Sequence, residues 1–563
     1  MKTMTKNRQE RYIVLLLFIL GILYYISRFV MSGIPYYSPE DTYFHLNRLL
    51  GLDNVWRSPV CFRAFAGDGN YVNVFYPWLT MYPMWLLRRL CGSCVLGYKL
   101  YYLLLGMATL FTAYYAVRMM SGRPWSGFCF AVLYTFSSYR FADVFRRASL
   151  GECIALTFLP LVLYGSYCIF LGDFRKWRIL SLAMALIAYS HLLSLFLTGI
   201  AVLAAGIVQL CTADRKKKRA ASFLRAVIWS VLLSLGSLLP MLQAARENVI
   251  SHPEGGVDTL VRHADSLPVI LENSVRNIPT AHSLGILSLA ALVLSVILLV
   301  PAGKSRGPVF RAAAIYTASG IVFLLLSSSL APWRLIGEYT PLRIIQFPWR
   351  LHAYTTLFSA AAFSLLAPSA LPAKNKRIIL AVICLASLLL HWRGICDLHR
   401  EEEHRITDNL IASYEYDHRD YAPLRARQYC QDYGYTLDTC CLDGEEIQPD
   451  CSVSEDGTVM YLSLDKNENR QELDIPVYWY TSLKAEVDGE EVQTAMSERG
   501  TVLLTLPGTR HAEVKIFHTY SSLTYISWIL SLLFFLILSL SGAAGIREKA
   551  GRYFTLMFER ILV

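Results

Sequence analysis

The chain has 563 residues, of which 54% are hydrophobic and only 17% charged. That balance excludes an ordinary soluble protein and points to lipid as the solvent. The net charge of +10 does not indicate nucleic acid, because the basic residues sit in short clusters between apolar runs, where they orient helices.

In chain order, the apolar run Tyr12 to Val30 follows Lys2, Lys6, Arg8 and Arg11 and has no small-residue cleavage site after it, so it reads as an uncleaved first helix. Further runs long enough to cross about 30 Å of hydrocarbon lie near 97–117, 124–140, 153–171, 224–243, 283–302, 310–330, 346–366, 376–393 and 522–542. The stretch 178–211 is long enough for two shorter helices meeting at Ser190-His191, which brings the expected total to about twelve crossings. With both termini on the cytoplasmic side, Arg118/Arg123, Arg175/Lys176/Arg178, Arg215 to Arg219, Lys304/Arg306, Lys374/Lys376/Arg377 and Arg547/Lys549/Arg552 all fall inside. A crossing at Phe75 to Leu87 would reverse this order, so that run is expected to be re-entrant or interfacial.

The fold class expected is therefore mainly α, a polytopic membrane protein with a strand-rich domain before its last helix. Residues 1–393 form the membrane domain with a first external loop at 33–96, 394–521 the extracytoplasmic β-rich domain, and 522–563 the last helix and a basic tail. In the insert, Thr458 to Leu464, Val477 to Val487, Thr501 to Leu506 and Ala512 to His518 alternate as strands do, with turn signals at Asp488-Gly489 and Pro507-Gly508, and a small β-sandwich is expected. Cys430, Cys440, Cys441 and Cys451 lie here and leave disulfides open, with no pairing deducible. Cys91 and Cys94 read C-x-x-C but lack the strand-helix context of a redox motif.

Three outward segments carry the groups able to do chemistry. Ser38-Pro39-Glu40-Asp41-Thr42-Tyr43-Phe44-His45-Leu46-Asn47-Arg48 places Asp41, His45 and Arg48 on one helical face. The same residues also make a good helix start, with Ser38 as cap, Pro39 in the first turn and acids near the positive end of the dipole, so both readings stand. Arg146-Arg147-Ala148-Ser149-Leu150-Gly151-Glu152 puts arginines on the outward side, against the charge bias of the rest of the chain, where a guanidinium fork suits a lipid phosphate. Ile345-Gln346-Phe347-Pro348-Trp349-Arg350 opens a span with Arg350 in its first turn, either an interfacial anchor or a second phosphate ligand. His191, in a tight turn, and Glu247, at the start of an outward loop, read first as polar surface residues.

Taken together, E-D-T-Y-F-H-L-N-R, N-V-F-Y-P-W-L at 73–79, R-R-A-S-L-G-E followed by F-L-P-L, the S-H turn and I-Q-F-P-W-R resemble a bacterial family of polytopic membrane proteins labelled 6-pyruvoyl-tetrahydropterin synthase-related. That family resembles the GT-C glycosyltransferases, and the matching segments span residues 40–350. The resemblance implies a multi-pass enzyme of the bacterial cytoplasmic membrane that moves a sugar from a polyprenyl-phosphate carrier to an envelope glycan or teichoic-acid-like acceptor at the outer face, with inversion. It implies Asp41 as base with Glu40 and His45 beside it, Arg147, Arg146 and Arg350 on the donor phosphate, and Arg48, Tyr76, Glu152, His191, Glu247 and Trp349 around the substrates. Here the stretch reads R-R-A-S-L-G-E where R-G-A-L-G-E is usual, with one residue more. No cofactor is implied beyond the lipid-linked sugar as co-substrate. A divalent metal is left unassigned, with membrane lipid as surroundings and no nucleic acid as partner.

Two other classes compete with this one. A transporter places ionisable groups in mid-span, whereas the notable ones here cluster at outward helix ends. A non-catalytic scaffold of polysaccharide or lipid assembly needs neither Asp41 nor outward arginines.

Overall fold

The computed structural model describes residues 10–559 except 24–33, 36–38, 213, 252–255, 303–306, 371–372, 402–404, 414–419, 434–436 and 468. Among these residues, seven helices are long and apolar enough to cross a membrane: Cys94–Ser121, Leu150–Phe170, Leu192–Cys211, Lys216–Glu247, Pro308–Leu326, Ala381–Leu398 and Ser522–Ser541. Their outer faces expose Leu203, Ile207, Val208, Leu224, Ile529, Leu532 and Leu540. Apolar helices with apolar outer faces are stable only in lipid, so the chain is a membrane protein.

The other expected crossings are shorter helices here. Residues 10–23 are helical, and the rest of the first expected span lies outside the described residues. The 124–140 run breaks into Pro124–Thr135, Ser138–Phe141 and a π-turn, Ala142–Arg146, with Ser137 capping the second piece through the Arg140 N–H. The 178–211 stretch does form two helices, Arg178–Ala188 and Leu192–Thr212, on either side of Ser190-His191. Ile286–Ala302 has 17 residues. The 346–366 run begins later than expected: Pro348–Leu351 is a 3-10 turn and the α-helix is His352–Ala370. Gln346, with φ of 66°, cannot continue a helix, so Arg350 precedes the α-helix instead of sitting in its first turn.

Phe75 to Leu87 forms short turns and then the ten-residue helix Tyr82–Cys91. At about 1.5 Å per residue that helix is too short to cross. The Ala373–Glu401 helix carries on past residue 393, where the membrane domain was expected to end.

The insert holds two five-stranded sheets, antiparallel throughout. One runs Ala495–Met496, Thr501–Leu506, Gln471–Tyr478, Cys440–Leu442, Glu445–Ile447, and the other Asp450–Val453, Val459–Asp465, His511–His518, Leu483–Val487, Glu490–Val492. Leu473, Ile475, Val502 and Leu504 from the first and Leu462, Val514 and Ile516 from the second share one buried cluster. The expected strand Val477 to Val487 is two strands in different sheets, parted at residues 479–482. Asp488 and Gly489 both take positive φ, as a tight hairpin turn requires, and Asp443-Gly444 repeats the device. Cys430, Cys440, Cys441 and Cys451 are free thiols.

The first loop is bonded to this insert. Phe62 N–H donates to Gly457 O at 2.7 Å, Tyr478 N–H to Asp68 O at 2.7 Å, and Ile34–Pro35 pairs with Arg405–Ile406. Tyr71 stacks on Tyr480 with centroids 4.6 Å apart.

Close helix approach depends on particular glycines. A Cβ at Gly165 would meet the Leu180 backbone N at 2.7 Å and Cα at 2.8 Å, whereas one at Gly199 would meet nothing within 4 Å. Gly165→Ala is therefore expected to lower stability by about 1–3 kcal/mol, and Gly199→Ala to leave it level or raise it by under about 1 kcal/mol. Thermal melting of the detergent-solubilised chain checks the pair, and equal melting temperatures would contradict the packing.

Candidate active site

Asp41 lies on the helix Pro39–Leu50 and is partly exposed. Its Oδ2 accepts from Ser149 Oγ at 3.2 Å, which ties the acidic helix to the arginine segment. Glu40 belongs to the same helix by its backbone, while its side chain and the Ser38 cap lie outside the described residues.

His45 is buried, and its Nε2 accepts the Leu150 N–H at 3.1 Å. A helix start leaves its first N–H groups without intrahelical partners, and the imidazole lone pair takes one of them. That lone pair is then not free to take a substrate proton, so the geometry gives His45 a positioning role. Arg48 has no exposed surface and donates to Pro77 O at 2.7 Å, Tyr76 O at 3.1 Å and Asn73 Oδ1 at 3.3 Å. Its guanidinium also lies 4.0 Å from the Tyr76 ring centroid. Burial pulls its pKa down to about 10, still charged at neutral pH. Arg48 ties down the 73–77 loop through these bonds.

Arg147 is the hub. Nη1 donates to Asp143 Oδ1 at 2.7 Å and to Glu152 Oε2 at 3.3 Å, Nη2 reaches the same Oε2 at 3.4 Å, and the guanidinium lies 4.5 Å from the Trp349 ring centroid. Arg350 Nη1 is 3.9 Å from that oxygen, and its Nη2 donates to Gln346 Oε1 at 2.9 Å. Among the described residues, the buried Arg350 Nε has no hydrogen-bond partner. Tyr139 Oη donates to Glu152 Oε1 at 2.6 Å. One carboxylate thus sits between two arginines at distances longer than the roughly 2.7–2.9 Å of a tight charge-assisted bond. Arg146 is buried at the end of the π-turn.

Tyr76 connects this group to the first loop. Its ring lies 5.7 Å from that of His191 and 5.9 Å from that of His45. A Cβ at Gly151 would collide with the Tyr76 hydroxyl and meet its Cε1 at 2.7 Å, so the glycine in R-R-A-S-L-G-E makes room for the tyrosine. His191 Nδ1 is 2.8 Å from Ser194 Oγ. Burial pulls its pKa down to about 3 against the opposing pull of Glu152, so His191 is neutral near pH 7.

Asp41, Tyr76, Arg147, Glu152, His191, Trp349 and Arg350 therefore converge, from five distant segments. Glu247 does not join them: it is exposed at the end of Lys216–Glu247, where its Oε2 accepts from Thr481 of the β-sheet insert at 3.3 Å. Asp143, Tyr139 and Ser149 were not singled out in sequence, although Asp143 and Arg147 have the i, i+4 spacing of a helical ion pair. Among the described residues, no group of three His, Cys, Asp or Glu is arranged to hold a metal ion.

No protein-family model matches the chain, and no curated protein matches it in sequence. Solved structures similar to it include arabinofuranosyltransferase AftD from Mycobacteria, 13% identical over 92% of this chain and 40% of that one, with a TM-score of 0.43. Another is the archaeal oligosaccharyltransferase AglB from Archaeoglobus fulgidus, in complex with an inhibitory peptide and a dolichol-phosphate, 12% identical over 77% of this chain and 58% of that one (TM-score 0.38). A third is ArnT from Cupriavidus metallidurans bound to undecaprenyl phosphate, 13% identical over 63% of this chain and 76% of that one (TM-score 0.30). The chain spans 40% of the length of AftD and 58% of that of AglB. Likeness at this level carries no chemistry across, and what the site can do is read from its own side chains.

Asp143 is fully buried, and its carboxyl is pushed up to about 8 by burial and then by Glu152, with Arg147 pulling the other way. A carboxyl raised in this way binds more protons folded than unfolded between its ordinary value and about pH 8. Its contribution to stability is present at low pH and falls as pH rises through that window. Asp143→Asn removes the titration while keeping an oxygen for Arg147. Its melting temperature relative to the natural chain is expected to rise between about pH 5 and about pH 8 and then level off. A difference that does not change with pH would place the proton elsewhere.

Proposed function

We propose that the chain is a membrane glycosyltransferase of the GT-C kind, taking a sugar from a polyprenyl-phosphate donor and passing it to a hydroxyl of a cell-envelope acceptor at the outer face. The observation that carries this reading is the bond from Ser149 to Asp41, which holds a partly exposed carboxylate beside the Arg147–Glu152–Arg350 group. A base next to a pair of guanidinium groups is what transfer from a phosphate-linked sugar requires.

In this mechanism Asp41 takes the proton from the acceptor hydroxyl as its oxygen bonds to the sugar's anomeric carbon. The bond from that carbon to the phosphate oxygen breaks, and the electron pair leaves with the phosphate. Arg147 and Arg350 hold the developing charge. Attack from the face opposite the leaving phosphate gives inversion. Arginine forks match phosphate geometry, and the Arg350 Nε, without a hydrogen-bond partner among the described residues, together with the long Arg147–Glu152 distances leaves donor capacity for an anion. Glu40 tunes the acidic helix, His45 positions it, Trp349 fixes the Arg147 plane, and Tyr76 and His191 wall the substrate.

In the same reading the insert is an extracytoplasmic β-sandwich over the site, the bundle has about twelve crossings, and both termini are cytoplasmic. The motif resemblance to the 6-pyruvoyl-tetrahydropterin synthase-related family supports it, and the π-turn at Ala142–Arg146 supports the alignment of Arg147. A π-turn is how a helix absorbs one additional residue, and Arg147 is the arginine that reaches Glu152.

Asp41→Asn is expected to lower sugar transfer in membranes supplied with polyprenyl-phosphate sugar by about 100-fold or more, with expression and melting temperature unchanged. Undiminished transfer would remove the base assignment and leave the scaffold reading. Arg147→Ala and Arg350→Ala are expected to weaken donor binding by roughly tenfold or more each. Unchanged donor affinity in both would make them interfacial anchors.

A further inference from the structure

A second cleft, of about 600 Å3, opens where the β-sheet insert meets the ends of two membrane helices, Lys216–Glu247 and the one starting at Ser522. Its volume falls in the roughly 300–1,000 Å3 range of ligand clefts, which favour such junctions. The mechanism above makes no use of it.

The lining points to one ligand chemistry. Trp479 and Tyr520, both partly exposed, line it together with the buried Tyr71, which stacks on Tyr480, and with Gln243, Glu247 and Thr481. These groups are held in place. Trp479 Nε1 donates to Thr494 Oγ1 at 3.2 Å, Tyr71 Oη to Ser482 Oγ at 2.7 Å, and Tyr520 Oη to Val55 O at 2.8 Å. Gln243 accepts from Ser521 at 2.6 Å and donates to Glu247 at 2.9 Å. Fixed rings beside a pre-ordered row of carboxamide, carboxylate and hydroxyl groups suit a ligand that is apolar on its ring faces and hydroxylated around its edges.

Charge disfavours anionic ligands. Among the described lining residues there is no arginine, and the lysine, Lys484, is bonded to Glu491 at 2.8 Å. Glu247 remains as a carboxylate without a cationic partner in the lining, which repels phosphate and sulfate. Tyr520 also borders an aromatic group, with Trp528 at 5.0 Å and Trp56 and Tyr525 at 5.2 and 5.5 Å from Trp528, the residue types of a membrane–water boundary.

We propose that this cleft binds a neutral oligosaccharide. Tyr71 lines it and Tyr76, on the same short segment, packs beside the Asp41 group, and the glycan bound here is taken to be the acceptor. That last step rests on the glycosyltransferase reading, whereas the binding does not.

The test is calorimetric titration of the detergent-solubilised full chain with cellohexaose, chitohexaose and maltohexaose. At least one is expected to bind. Trp479→Ala and Glu247→Gln should each weaken it by roughly tenfold, Trp479→Phe should restore most of it, and Asp41→Asn should bind as the natural chain does. Failure of all three sugars, or equal binding by Trp479→Ala and Glu247→Gln, overturns the proposal. Binding that survives alongside undiminished transfer by Asp41→Asn would sink the catalytic reading and leave this one standing.

Discussion

The carboxylate of Glu152 sits between Arg147 and Arg350 and accepts from Tyr139, and the rest of the site is arranged around that contact. Removing it would leave two guanidinium groups facing each other in a largely water-free setting. Removing Arg147, the nearer of the two, would leave the carboxylate with Tyr139 and with Arg350 at 3.9 Å, and breaking one side of a buried pair costs about 3–5 kcal/mol. An apolar substitute for the whole group would be the more stable solution, which is why such a cluster points to function more than to stability. The second acid, Asp143, makes the group still less economical, since its own carboxyl is driven toward the neutral form.

The backbone around this group departs from regular helix where the chemistry is concentrated. The π-turn at Ala142–Arg146 advances the chain by one residue, Ala148 then takes φ of 53°, and the long helix starts at Leu150 with its first N–H given to His45. Gln346, on the opposite side, also has positive φ, and its side chain accepts from Arg350. Strained non-glycine residues persist where surroundings over-determine them. Here those surroundings are the ion group itself, so strain and electrostatics sustain each other.

The arginine segment was legible in sequence because it breaks the charge bias of the chain, the acidic helix because Asp41, His45 and Arg48 share one face, and the Trp-Arg segment because a proline and a tryptophan open a span. The histidine turn read first as polar surface and entered only through the resemblance. The structure brings all four together. The buried fates of His45 and Arg48 were not legible, because i, i+4 spacing gives a shared face but not what that face meets. Glu247 read as the start of an outward loop, and its contact with Thr481 of the insert was not legible, since an exposed helix end gives no sign of which neighbour it touches. Helix ends were overextended at 124–140 and 346–366, where hydropathy persists across Ser137 and Pro348 although the helix does not. The strand Gln471–Tyr478 was partly missed because Pro476 lies within it, a residue that demotes a strand reading, although Leu473, Ile475 and Val477 alternate as a strand requires.

The first loop carries the acidic helix, yet its backbone is bonded to the β-sheet insert through Phe62, Asp68 and the Ile34–Pro35 pairing. Asp41 is therefore held from two sides, by Ser149 at the helix bundle and by a loop whose far wall belongs to the insert. Movement of the insert relative to the bundle would pull on the 71–76 segment, through the Tyr71–Tyr480 stack at one end and the Tyr76–Gly151 contact at the other. The insert and the ion group are thus mechanically coupled through a few aromatic contacts. That coupling explains why the strand-rich insert is fastened so firmly to the helix bundle that carries the charged group.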